Sequence, residues 1–209
     1  MPDPRRAFLL VTILAFAGSA FAQINIANFD FGSVPVICGS GIAFGYQGPY
    51  ERCQWPYPFQ NFNAAPGFGW TLNMAPSELR GGQSGVTAPN GAFNLPPFDG
   101  LPFSQAGLLQ DHGGHISQAI GGFTPGNYVL SFYLGSRYRD PPYDGNQTVQ
   151  ALVDGQVVAT WTLSSFTPFT PVSANFSVST SGTHTLEFRG ISLGDHTAFL
   201  SYVVIAPTD

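Results

Sequence analysis

Apolar and polar residues alternate with a period of two along most of the second half of the chain. In "NYVLSFYLGS", Tyr128, Leu130, Phe132 and Leu134 fall on one side, with Val129, Ser131 and Tyr133 on the other. "TPVSANFSVS" places Val172, Ala174, Phe176 and Val178 on one face. "GTHTLEFRG" sets His184, Leu186 and Phe188 against Thr185, Glu187 and Arg189. "QTVQALVDGQVVATWTL" reads as a hairpin around Asp154–Gly155, a pair that tolerates positive φ at both turn positions. "GGFTPGN" is a turn-forming cluster between two strand-like runs, and the last run, "TAFLSYVVIA", alternates again. Strands at intervals of roughly ten residues predict an antiparallel β-sandwich, and no strand–helix alternation of an α/β fold appears.

The N-terminal third follows no such period. "CGSGIAFGYQGPYERCQWPYPFQNFNAAPGFGW" is rich in Gly, Pro and aromatic residues and reads as a long irregular surface excursion. The sandwich strands are expected mostly after residue 100. Cys38 and Cys53 are expected to pair as one disulfide that staples the excursion to itself and encloses none of those strands. Residues 1–22, with Arg5–Arg6 ahead of "AFLLVTILAFAG" and "SAFA" before Gln23, read as a signal peptide. Residues 23–209 then form a single exported domain, secreted, periplasmic or extracellular, whose compartment suits the disulfide.

Composition narrows the function. Removing Asp3, Arg5 and Arg6 with the leader takes the formal charge from −5 to −6 and leaves five arginines and no lysine. A nucleic-acid partner needs clustered cations to displace counterions, so none is expected, and no later segment is apolar enough to insert in a membrane. The 25 glycines and 18 prolines against 9 % charged residues fit many turns and few helices.

Candidate chemistry lies in the loops. Asp195 and His196 are adjacent, but neighbours on an extended segment point to opposite faces, and no nucleophile in a strained G-x-S-x-G turn accompanies them. "DHGGH" brings Asp111, His112 and His115 together and reads either as a metal cluster or as a flexible hairpin tip. Glu51, Glu78, Asp99, Asp140 and Asp144 are loop carboxylates, and no motif singles out a glycosidase pair among them. "SRYRDPPYDGN" supplies Arg137, Tyr138, Arg139, Asp140, Tyr143, Asp144 and Asn146, a set of forked donors, rings and acceptors suited to a sugar. Trp55, Tyr57 and Trp70 add stacking surface.

The succession "NFDFGSVP", "GFGW", "SGVTAPNGAF", "PPFDGLPFSQAGLLQ", "GHISQAIGGFTPGNYVLSFYLGSRY", "ALVDGQVV", "GTHTLEFRG" and "GDHTAFLSYVVI" resembles secreted galactose-binding-like jelly-roll domains over residues 25–206. These occur in bacterial exported proteins and in plant cell-wall proteins. The resemblance implies a non-catalytic module, not an enzyme, that binds carbohydrate or a cell-wall polymer through loops at one end. A structural protein engaging other proteins, or a secreted hydrolase, is the alternative. With the loop chemistry above, the residues expected to bind are Arg137, Tyr138 and Trp70, joined by Asp195 and His196, which the resemblance places at the rim. Similar domains hold a structural calcium ion between the first and last strands. Asp30 matches its acidic position, whereas Ser201 stands where an Asp is common.

Overall fold

The computed structural model describes residues 24–33, 42–44, 66–73, 83–88, 95–139 and 144–208. The leader, Cys38, Cys53, Trp55, Tyr57 and Tyr143 lie outside the described residues. The described chain is all-β and contains no helix, hence none long and apolar enough to cross a membrane.

Eleven strands are described: β1 (Ile42–Phe44), β2 (Thr71–Asn73), β3 (Gln83–Thr87), β4 (Ala106–Gln110), β5 (His115–Phe123), β6 (Gly126–Ser136), β7 (Thr148–Val153), β8 (Gln156–Thr162), β9 (Thr170–Val178), β10 (Gly182–Gly190) and β11 (Thr197–Pro207). They form two antiparallel sheets, one in the order β1-β3-β4-β11-β6-β9 and the other β2-β5-β10-β7-β8. The interior between them follows from the alternation. Leu130, Phe132 and Leu134 of β6 face Leu186 and Phe188 of β10, and Phe132 meets Phe188 edge-on with ring centroids 4.8 Å apart. Each such ring withdrawn from water stabilises the fold by about 1.5–3 kcal/mol. The β7–β8 turn is the expected one: φ is +49° at Asp154 and +77° at Gly155, so the backbone twist matches that of the flanking strands.

Three expectations are corrected. Described parts of the N-terminal excursion are strands: β1 pairs with β3, and β2 adds to the second sheet beside β5. Three-residue strands hold too little alternation to show a period. Because β1 lies between Cys38 and Cys53, a bridge between them encloses a sheet strand. The "GGFTPGN" turn is also tighter than its sequence, since β5 and β6 run up to Thr124–Pro125.

A second core covers the outer face of the first sheet. Phe98 and Phe103, from the segment before β4, pack with Phe169, Tyr133, Leu108 and Phe199; the contacting rings of Phe98, Phe103, Phe169 and Tyr133 lie 5.1–5.4 Å apart. Gly135 packs closely under this layer: a Cβ there would come within 3.2 Å of Phe169 and Pro96, which would have to give by a few tenths of an ångström. The chain's own segment thus fills that face, and the loops at the two ends of the sandwich carry the polar chemistry.

Candidate active site

Described parts of four connections meet at one end of the sandwich: residues 111–114, 137–139 with 144–147, 163–169 and 191–196. Hydrogen bonds knit them together. The Asp111 amide donates to the His196 carbonyl at 2.9 Å, the Gly194 amide to Asp111 Oδ1 at 2.9 Å, and the Gly145 amide to Ser165 Oγ at 3.0 Å. The Arg137 carbonyl accepts from the Phe166 amide at 3.2 Å.

Within this rim, His196 and Asp144 form a pair across 52 residues of sequence. His196 Nδ1 lies 2.5 Å from Asp144 Oδ1. The Asp144 side chain is 2 % exposed and that of His196 is 24 % exposed. Asn146 donates to both Asp144 oxygens, from its amide at 3.0 Å and its Nδ2 at 2.8 Å. Burial alone would raise the Asp144 carboxyl. The Asn146 backbone hydrogen bond, with the hydrogen bond and charge of His196, outweighs it and holds the carboxyl below its ordinary value. His196 Nε2 has no hydrogen-bond partner among the described residues and lies beside Gly194, whose Cβ, if present, would be 3.1 Å away.

Asp195 and His196 reach different partners, but from a bend closed by the His196 amide on the Gly194 carbonyl and not from the extended segment that was expected. Asp195 accepts from buried Arg137 Nη1 at 3.2 Å and from Gln110 Nε2. Burial pushes the Arg137 guanidinium below its ordinary value, against the opposing charges of Asp195 and Asp144. Arg137 is therefore a buried cation balancing the rim's carboxylates, and its fork is not presented to solvent. Tyr138 is half-buried, its ring 5.7 Å from that of exposed Phe166. Phe166 has φ +65°, a conformation that costs a bulky residue on the order of 1–3 kcal/mol. Trp70 is not at this end. It is 3 % exposed, stacked on Phe31 at 5.2 Å, and donates from Nε1 to the Asn28 carbonyl, so it belongs to the core.

A second Asp–His pair at the opposite end gives a comparison. His184 Nδ1 lies 2.5 Å from Asp154 Oδ2, but its Nε2 is also engaged, 3.0 Å from the Thr180 carbonyl. Both nitrogens of His184 are occupied; His196 keeps one.

The calcium implied by the resemblance finds no fitting donor set. Ser201 Oγ donates to the carbonyls of Asp30 and Gln105 at 3.2 and 2.9 Å, and Gln105 Nε2 donates to the Phe31 carbonyl. The Asp30 carboxylate turns back onto the Gly32 amide at 3.0 Å. Asp30 Oδ1 and the Asp30, Gln105 and Phe31 carbonyls thus already accept protein hydrogen bonds, and a hard cation needs about six to eight oxygens. In "DHGGH", Asp111 accepts from the His112 and Gly194 amides, and His115 Nδ1 lies 3.1 Å from the Gly113 carbonyl. Among the described residues no three His, Cys, Asp or Glu side chains are grouped to hold a metal.

Fold and rim thus define an antiparallel β-sandwich with an oriented histidine at its loop end. No family model and no curated protein matches the chain. Among solved structures, an apo-form cyclase from Fischerella sp. aligns with a TM-score of 0.59 at 11 % identity, over 92 % of this chain and 100 % of that one. The Stig cyclase Fisc from Fischerella sp. TAU, in complex with (3Z)-3-(1-methyl-2-pyrrolidinylidene)-3H-indole, aligns with a TM-score of 0.56 at 14 % identity, over 90 % and 98 % of the two chains. A family 35 carbohydrate-binding module from Clostridium thermocellum reaches a TM-score of 0.38 at 12 % identity, over 67 % of this chain and 89 % of that one.

At these identities the likeness establishes the fold. It also corrects the expectation of a non-catalytic carbohydrate or cell-wall binding module. Solved structures that cover 90–92 % of this chain include Fischerella cyclases, so the fold is not one confined to passive binding modules. Of the five residues expected to contact a sugar, Arg137 and Trp70 are buried, whereas Tyr138, Asp195 and His196 are partly exposed.

Proposed function

We propose that this chain is an enzyme that moves a proton on a small organic molecule, with His196 Nε2 as the transferring atom. The reading rests on one observation: a buried Asp144 carboxylate holds His196 Nδ1 at 2.5 Å and leaves Nε2 open on a partly exposed ring. The carboxylate accepts the Nδ1 proton, so Nε2 carries the lone pair, and it stabilises the imidazolium formed when Nε2 takes a proton. Returning that proton to another atom of the substrate isomerises or cyclises it with no oxidant, reductant or added nucleophile.

The substrate class follows from what surrounds the pair and from the sandwich's counterparts. Tyr138 and Phe166 offer ring faces on the same rim. Fischerella cyclases of this fold carry indole-bearing molecules, one of them 4-(1H-indol-3-yl)butan-2-one. A small, partly aromatic compound with an acidic C–H or a basic double bond suits both. The leader expected at residues 1–22 would place this chemistry outside the cytoplasm.

Hydrogen exchange is the experiment. The protein is incubated in D2O with indolyl ketones and enamines, and deuterium uptake is read by mass spectrometry. Uptake faster than buffer is expected, falling on the order of 100-fold or more in His196→Gln. No uptake above buffer across the panel, or an unchanged rate in His196→Gln, overturns the assignment.

A further inference from the structure

The pair is only as well oriented as the backbone that carries it, and one buried side chain fixes that backbone. Gln147 is 0 % exposed. Its Nε2 donates to the Asp111 carbonyl at 3.1 Å and to the His196 carbonyl at 3.0 Å. Its Oε1 accepts from the Thr148 amide at 3.0 Å and the Ser192 amide at 2.9 Å. A primary amide has two donor hydrogens and two acceptor lone pairs, and all are used. Reversing the amide would set donors against the Thr148 and Ser192 amides, so the partners leave one orientation.

We propose that Gln147 is the positioning residue of the His196 site: by holding the His196 carbonyl it directs Nδ1 to Asp144 and keeps Nε2 open, while touching no substrate itself. The proposal rests on the proton-transfer reading of His196. The His196 carbonyl is held from two sides, by Gln147 and by the Asp111 amide at 2.9 Å. The His196 amide donates to Gly194 at 2.7 Å, and the following amide, Thr197, donates to the Asp144 carbonyl at 2.9 Å. The backbone on either side of the ring is thereby fixed to the loop that supplies the carboxylate.

Gly190 gives independent support. A Cβ at Gly190 would lie 2.8 Å from Gln147 Nε2 and 2.7 Å from the Asp111 carbonyl oxygen, so the clamp closes only over glycine.

Gln118 supplies the control. It is a buried glutamine that clamps backbone at both ends of its amide, accepting from the Ala27 amide and donating to the Ala27 carbonyl, each at 2.9 Å. It fastens the N-terminal segment and not the rim.

The test is nitrogen-15 NMR of the His196 ring in the full chain, at a pH where the ring is neutral, in the wild type, Gln147→Glu, Gln147→Leu, Gly190→Ala and Gln118→Leu. The wild type is expected to show one tautomer, with the proton on Nδ1. The Gln147 and Gly190 variants are expected to lose that single-tautomer signature. Gln118→Leu is expected to keep it, although its Tm falls by about 4–10 °C, as in Gln147→Leu. A single Nδ1–H tautomer retained in folded Gln147 and Gly190 variants overturns the proposal and leaves the Asp144–His196 reading intact. Loss of the signature in Gln118→Leu also overturns it, because general loosening then suffices. A wild-type ring with its proton on Nε2 refutes the underlying reading instead. Should Gln147→Leu fail to fold, the near-isosteric Gln147→Glu and Gly190→Ala carry the same comparison.

Discussion

The two Asp–His pairs have equal bond lengths, 2.5 Å each, but they should not be equally strong. Asp144 is 2 % exposed at its side chain, whereas Asp154 is 50 % exposed. A hydrogen bond to a charged, desolvated group is worth about 1.5–3 kcal/mol. The same contact with half the carboxylate in water is screened and belongs with exposed pairs, at about 0–1 kcal/mol. Double-mutant cycles with Asp144→Asn and His196→Gln, and with Asp154→Asn and His184→Gln, measure each coupling by urea unfolding. A coupling of about 2 kcal/mol is expected for the rim pair, and no more than about 1 kcal/mol for the opposite pair. Asp144→Asn alone is expected to cost about 2–3 kcal/mol, because it also brings an Asn amide against Asn146 Nδ2 and strips charge from beside buried Arg137. Equal couplings, or a larger one at Asp154–His184, would refute the reasoning from burial.

Further outcomes follow from the same structure. The hydrogen bond to Asp154 raises His184 above its ordinary 6.5, and the bond from His184 lowers Asp154 below its ordinary 3.8. Their pairing therefore stabilises fully between about pH 4 and 6.5, fading as pH rises through the folded-state value of His184 or falls through that of Asp154. Urea midpoints across pH should show that hump in the wild type and a flatter profile in Asp154→Asn. Trp70→Ala should cost about 3–5 kcal/mol, since it empties a core position stacked on Phe31, whereas Phe166→Ala should shift stability by less than about 1 kcal/mol. Thermal unfolding of the two variants checks this contrast.

Most of the sandwich was legible because alternation reports directly which face is buried. Leu130, Phe132, Leu134, Leu186 and Phe188 all lie in the core their spacing implied, and Asp154–Gly155 makes the turn its residues demand. Alternation fails where both faces are covered. Tyr133, Leu108 and Phe199 look outward by period, yet they pack under residues 95–103, a layer with no pattern of its own. Trp70 was misplaced for a related reason: an aromatic in a Gly-rich stretch reads as a loop platform until β2 is seen to carry the chain into the second sheet.

At the site, sequence gave half of the answer. Asp195 and His196 do reach different partners, but the bend that separates them was not legible in an alternating pattern. Both Asp144 and His196 stood among the loop candidates, but their meeting depends on connections from different strands converging at one end, which no local spacing encodes. The buried glutamine at 147 carried only one signal, a polar residue entering the apolar run "TVQALV".

Carbethoxylation tests the role of His196 most directly. The chain has four histidines, and diethyl pyrocarbonate modifies an open imidazole nitrogen. Deuterium transfer to an indolyl ketone and the modification of each histidine are followed in the same sample, the latter by peptide mass spectrometry. Loss of transfer should track modification of His196, not of His112, His115 or His184, and hydroxylamine should restore it. Undiminished transfer in protein fully modified at His196 would contradict proton transfer through Nε2.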